Sequence, residues 1–233
     1  MTQGKRQFVK YNAYRVDPLW RRLPEAQRQQ DKEEFLAVVD EFTAGISIRS
    51  YSLVGLRADA DLLLWCISET LESLQELVAR LYRTGLGGYL SMPYSFLAMT
   101  RPSPYVEKHR HAEQEGASAA IRMSRTPYRY LVVYPFVKTA QWYLLPVEER
   151  QRMMDEHFAA GHKYPSVKIN TSYSFGLDDQ EFMLAFETNN LSDFLELVME
   201  LREQKARLYT LRDTPILTCI QKPLREALQD VGG

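Results

Sequence analysis

The sequence predicts an α+β fold in which a ferredoxin-like βαββαβ unit is written twice in tandem, the two copies forming a dimeric-α/β-barrel-type core. The first observation behind this is an internal repeat. Leu23-Pro24-Glu25-Ala26-Gln27-Arg28 reappears as Leu145-Pro146-Val147-Glu148-Glu149-Arg150. Gly55-Leu56, followed by acidic residues and the run Asp61 to Trp65, reappears as Gly176-Leu177-Asp178-Asp179 and the run Phe182 to Phe186. The two landmarks recur at offsets of 122 and 121 residues, and such agreement points to one duplicated unit. The second observation is that each half reads strand, helix, strand, strand, helix, strand. The third is a polar connector, 101–127, bounded by prolines, which leaves an N-terminal half at 1–100 and a C-terminal half at 128–233.

The elements follow in order. Phe8 to Val16 is rich in aromatic and β-branched residues and reads as a strand. A helix runs from Pro24 to Phe42, since proline suits a helix start. Ile46 to Leu56 and Ala60 to Ile67 form a strand pair, Leu71 to Tyr82 a helix that Ser68 or Thr70 can cap, and Tyr89 to Thr100 a closing strand. The second half repeats this with strands at 128–137, 166–175, 180–188 and 209–220. Its helices lie at 146–160 and 191–206, the latter capped by Asn190 or Ser192.

Composition narrows the function classes. Over 233 residues the net charge is −1, which argues against nucleic acid as a partner, because phosphate-tracking proteins carry a basic excess. No apolar run approaches bilayer-spanning length and no signal-peptide core opens the chain, so a cytoplasmic protein is expected. Cys66 and Cys219 lie in apolar runs without metal-ligand spacing. Fourteen tyrosines, ten phenylalanines and three tryptophans suit a planar ligand, though large sheets use tyrosine too.

No phosphate loop, HExxH, nucleophile elbow or cysteine cluster is present, so the four histidines draw attention. His109-Arg110-His111 lies in a polar loop without carboxylate geometry, and His162 sits where a helix C-terminus favours a cation. His157 is different. Met153, Met154 and Phe158 share or flank its helical face, so it reads either as a satisfied core histidine or as an axial ligand to a flat apolar cofactor. On the strand before it, Tyr134, Phe136 and Lys138 share one face by parity, while Pro135 marks a strand end, an edge or a bulge.

Taken together, Val133-Tyr-Pro-Phe-Val-Lys138, Trp142-Tyr-Leu-Leu-Pro-x-Glu-Glu-Arg150, Met154-x-x-His157, Lys163-Tyr-Pro165, Gly176-Leu-Asp-Asp179 and Leu184-Ala-Phe-Glu187 resemble the chlorite dismutase-like haem protein family. Within it, the segments are most similar to the coproheme decarboxylase branch, the haem synthases of the coproporphyrin-dependent pathway. The resemblance is dense over 128–220. It implies that His157 is the proximal iron ligand, Tyr134 the reactive tyrosine, Lys138 a propionate-neighbouring lysine and Trp142 a proximal wall. It also implies that Arg207, and more loosely Arg122, hold porphyrin carboxylates. The implied activity is hydrogen peroxide-dependent conversion of iron-coproporphyrin III (coproheme), at once substrate and redox centre, to haem b through a tyrosyl radical. A homopentamer is implied as well, with coproporphyrin ferrochelatase as a transient partner.

The distal side departs from the chlorite dismutases, which place an arginine above the iron. Counting back from Gly176 puts Ile169 there, whereas counting forward from His157 puts Asn170 there. Neighbours on a strand face opposite ways, so that one-residue difference matters. A second decarboxylase branch takes a histidine from the connector, and Arg101-Pro-Ser-Pro-Tyr-Val-Glu-Lys-His109 resembles that segment, which makes His109 a candidate distal base. The competing functions are a haem carrier with incidental peroxidase activity, a chlorite dismutase, and a cofactor-free barrel.

Overall fold

A computed structural model of the chain describes residues 6–105 and 120–232. It shows an α+β fold with two βαββαβ-like units, as the repeat predicts. By contacts, one compact unit takes residues up to Met99 together with those from Leu217 onward, and the other takes Thr100–Ile216.

In the first unit β1 (Phe8–Val16), α1 (Glu25–Phe42), β2 (Ser47–Ser52), β3 (Leu62–Ser68), α2 (Leu71–Leu81) and β4 (Leu90–Met99) occur in the predicted order. The strands pair antiparallel in the order β4-β1-β3-β2. One sheet face receives α1 through Phe35, Leu36 and Val39, and α2 through Leu74, Leu77 and Leu81, around Tyr14, Trp20, Leu62 and Leu64. Burying a side chain of this size contributes roughly 1.5–3 kcal/mol, so this packing, more than helix propensity, stabilises α1. Within that core Asp31 accepts from Trp20 Nε1 at 2.9 Å and Gln27 Nε2 at 2.8 Å, which satisfies a carboxylate that is only 1% exposed.

Two elements of this unit were not foreseen. The strand expected over 209–220 breaks into β8 (Thr210–Arg212) and β9 (Leu217–Gln221), and α6 (Leu224–Asp230) follows. Pro215 lies in the break, and proline brings no N–H to a ladder. β9 adds to the edge of the first sheet beside β2, and α6 contributes Ala227 and Leu228 to its core, with Val231 just beyond.

The second unit holds β5 (Tyr130–Lys138), α3 (Ala140–Leu144), α4 (Val147–His162), β6 (Val167–Tyr173), β7 (Phe182–Thr188), α5 (Leu191–Arg202) and β8. Its strand order is β8-β5-β7-β6, the same pattern as in the first unit. The duplication reaches the backbone: Gly55 and Gly176, the glycines of the repeat, both have positive φ, 75° and 69°, in the β2–β3 and β6–β7 turns. A left-handed residue there favours glycine, which accounts for its recurrence. Asn190 is the α5 cap, its side chain accepting from Ser192 N at 3.0 Å. Among the described residues no helix is long and apolar enough to cross a membrane.

Candidate functional site

The β5–β7–β6 ladder decides which side chains can meet. Val132 pairs with Phe186 and Phe186 with Ile169; Tyr134 pairs with Leu184 and Leu184 with Thr171. Cross-strand partners lie on one face, so Ile169 shares the face of Tyr134, and Asn170 lies on the reverse. There Asn170 Nδ2 donates to Glu187 Oε2 at 3.1 Å and to the Ala185 carbonyl at 3.4 Å. Ile169 is 40% exposed, and a Cβ built on Gly161 of α4 would lie 3.9 Å from its Cδ1, so α4 runs over this face. Between the two positions left open by counting residues, the register puts Ile169 on the side of α4 and Tyr134.

Tyr134 is buried and its ring stacks on Phe186 at 5.6 Å between centroids. Burial and the nearby Asp213 carboxylate push its phenol well above the usual range, against the opposing pull of Arg202 and Arg207. Those three groups form one cluster. Asp213 Oδ2 accepts from Arg207 Nη1 at 2.7 Å and from Arg202 Nη2 at 3.2 Å. Arg202 closes α5, and Arg207 sits in the single 3-10 stretch Lys205–Tyr209 that links α5 to β8.

Lys138 ends β5 and turns in over Trp142, with Nζ 4.3 Å from the ring centroid, and donates to the Ala206 carbonyl at 3.1 Å. Burial, reinforced by Arg207, lowers its pKa to about 8, and Glu181 opposes that. Trp142 is buried in α3 against Met153, Ala206 and Tyr209, the last at 5.7 Å between ring centroids. Glu181 fixes this corner: its Oε2 accepts from Lys138 N at 2.7 Å and from the Tyr143 hydroxyl at 2.6 Å.

His157 projects from α4, half-buried. Pro146 begins that helix, and Glu148 and Glu149 suit its first turn. Burial holds the imidazole down to about 4, helped by the Lys138 charge and opposed by the neighbouring Gln204 side-chain amide. At neutral pH it is therefore uncharged, with a lone pair available to a metal. A ligating histidine needs an acceptor for its other nitrogen, and Gln204 is placed to serve. Its Oε1 is buried and makes no hydrogen bond of its own among the described residues, while its Nε2 donates to the Glu156 carbonyl at 3.3 Å. A neutral imidazole with a waiting acceptor, apolar walls and half-buried cations is a donor set that fits an iron porphyrin bearing carboxylates.

Tyr134, Lys138, Trp142, His157 and Arg207 are thus linked by contacts or electrostatics within one unit, on the side covered by α4. Arg122 is not joined to them: its side chain is exposed, and its backbone carbonyl accepts from Lys168 Nζ at 3.0 Å. His109 lies outside the described residues. Sequence reasoning passed over Arg202, Asp213, Glu181 and Gln204. The one available signal was charge, since Arg202, Arg207 and Asp213 fall within a dozen residues just before Pro215. Among the described residues no cluster of three or more histidine, cysteine or acidic side chains could hold a bare metal ion.

Comparison with known proteins adds an independent line. The chain matches the chlorite dismutase family over residues 28–222. It is 39% identical over 176 residues to the coproheme decarboxylase of Mycolicibacterium smegmatis, an alignment covering 75% of this chain and 73% of that one. Its structure is similar to that of chlorite dismutase from Candidatus Nitrospira defluvii in complex with imidazole, with a TM-score of 0.89 and 28% identity, over 97% of this chain and 95% of that one. A point mutant of the same protein gives the same score and identity over 97% and 96% of the two chains.

Proposed function

The chain belongs to the chlorite dismutase family, and from that premise we propose that it is an oxidoreductase carrying out hydrogen peroxide-dependent oxidative decarboxylation of iron-coproporphyrin III to haem b. The observation that carries the reading is Tyr134: a buried phenol, kept protonated, beside the Arg202–Asp213–Arg207 cluster and on the same sheet face as Ile169. A carrier has no use for an oxidisable residue in that setting. A chlorite dismutase is disfavoured because the side chain facing α4 is isoleucine, which offers no positive charge to retain a reactive oxygen species.

When bound, the iron porphyrin supplies the redox centre on which peroxide acts. The protein's part follows from its residues. His157 would hold the iron through its neutral imidazole, with the Gln204 side-chain oxygen as the acceptor its other ring nitrogen would need. Trp142, Met153 and Met154 form an apolar wall. Lys138 and Arg207 hold substrate carboxylates, the guanidinium by its planar fork and the ammonium as a point charge. Tyr134 gives up an electron and its phenol proton, then regains both as a hydrogen atom taken from the β-carbon of a propionate. Loss of a second electron and of carbon dioxide leaves a vinyl group. Per propionate, –CH2CH2COOH and one H2O2 give –CH=CH2, CO2 and two H2O, so two peroxides convert the substrate to haem b. The barrel-type association of the halves, the homopentamer, the ferrochelatase partner and a distal role for His109 are carried on the resemblance alone.

The test is to load the protein with iron-coproporphyrin III, add stoichiometric peroxide and follow the porphyrin by mass spectrometry. Sequential loss of two carboxyl groups is expected. Tyr134→Phe, which removes one hydroxyl from a buried site, should keep porphyrin binding and lose the first decarboxylation. Bleaching without product, or full turnover by Tyr134→Phe, would refute the proposal.

A further inference from the structure

We infer that Asp213 is a positioning residue of this site: its carboxylate gathers the Arg207 and Arg202 guanidinium groups beside Tyr134 and keeps Arg207 aimed at an incoming ligand carboxylate. The inference rests on the reading above for the nature of the ligand and deepens it. Both guanidinium bonds end on one oxygen, Oδ2, at 2.7 Å from Arg207 and 3.2 Å from Arg202. Without that anion two like charges would face each other at close range, and each flexible side chain would move apart into solvent. The arginines come from different elements, the last turn of α5 and the 3-10 stretch after it, so the carboxylate is what draws them together.

The exposures say what kind of role this is. The side chain of Asp213 is 18% exposed, that of Arg207 34% and that of Arg202 48%. Ion pairs this open to water add little to stability. A carboxylate held between two arginines therefore matters mainly for where the charges stand, and all three groups act on the Tyr134 phenol.

Charge alone and positioning predict opposite outcomes, which makes the inference testable. Asp213→Asn raises the positive charge of the site, so attraction alone would tighten binding of iron-coproporphyrin III. If Asp213 aims Arg207, binding weakens instead, by about tenfold for a misdirected charge-assisted hydrogen bond. The dissociation constant is read from the porphyrin absorption during titration of the full chain, with Asp213→Glu as the variant that restores the anion. An independent readout is the phenol titration of the ligand-free protein, followed by ultraviolet difference against Tyr134→Phe. The Tyr134 phenol should ionise at lower pH in Asp213→Asn and return toward the wild-type value in Asp213→Glu.

Weaker porphyrin binding in Asp213→Asn at unchanged melting temperature, restored by Asp213→Glu, supports the inference. Tighter or unchanged binding, or an unmoved Tyr134 titration, overturns it, as does weaker binding that only follows a lowered melting temperature in both variants. The two readings fail separately. A wild-type protein that binds iron-coproporphyrin III through Arg207 and Asp213 without decarboxylating it would refute the proposed reaction and leave the positioning role standing.

Discussion

Lys138 should make the ligand-free protein gain stability as pH rises from about 8 to 10.5. The native ammonium is held to about 8 by burial and by Arg207, against the ordinary lysine value of 10.5. Between those values the unfolded chain binds a proton that the native protein has released, so unfolding becomes less favourable with rising pH. Below about 8 both states are protonated and the full penalty is present. The gap corresponds to about 3 kcal/mol at ~1.4 kcal/mol per pH unit, an upper bound because the side chain is partly open to water. Lys138→Met removes that penalty but also a hydrogen bond to the Ala206 carbonyl and a cation–π contact with Trp142, each of about 1 kcal/mol. The variant should therefore be about 1 kcal/mol more stable than the parent at pH 7 and about 1 kcal/mol less stable near pH 10.5, where the native amine is neutral and only the hydrogen bond is lost. Urea denaturation of both proteins across this range gives the difference directly, since other titrating groups cancel. A difference that stays flat from pH 7 to 10.5 would show that Lys138 is charged and well solvated in the native state, and the electrostatic account of the site would fall.

Two further outcomes can be checked. His157→Ala should weaken iron ligation in the porphyrin-loaded protein, with added imidazole restoring the spectrum in part. In the parent, ligation should persist down to about pH 5, because the ring stays neutral until about 4; loss of the ligated spectrum already near pH 6.5 would show an ordinary solvated imidazole. Away from the site, Gly87→Ala places a Cβ 1.9 Å from the Leu81 carbonyl oxygen, a backbone atom that cannot give way cheaply. A loss of about 2–4 kcal/mol is expected by thermal unfolding, and a melting temperature equal to the parent's would show that the α2–β4 turn is more pliable than its contacts imply.

Most of the fold was legible because its signals are local and repeated. The Leu-Pro helix starts at 23 and 145, the Gly-Leu turns at 55 and 176, and the strand runs between them are read from neighbouring residues. The C-terminal helix was missed although Leu224, Ala227, Leu228 and Val231 have helical spacing after Pro223, because it has no counterpart in the repeat. At the site, helical periodicity found His157, and strand parity put Tyr134, Phe136 and Lys138 on one face. Ile169 and Asn170 could not be separated by counting, since a loop of uncertain length breaks the count and only the pairing of Ile169 with Phe186 sets the face. Asp213, Glu181 and Gln204 were invisible for a related reason. Each acts through a partner 6 to 47 residues away, and nothing in their own neighbourhoods marks them.

The attachment of β9 and α6 to the first unit has a consequence for how the chain is made. Vectorial synthesis delivers residues 1–99 early, yet the sheet edge beside β2 and the part of the core filled by Ala227, Leu228 and Val231 wait until more than a hundred further residues have emerged. The nascent first unit therefore spends that interval with an apolar cleft and an unpaired strand open to water, a state that invites chaperone binding or misassociation. The intervening unit is contiguous and can mature first, so the segment translated earliest is the one finished last.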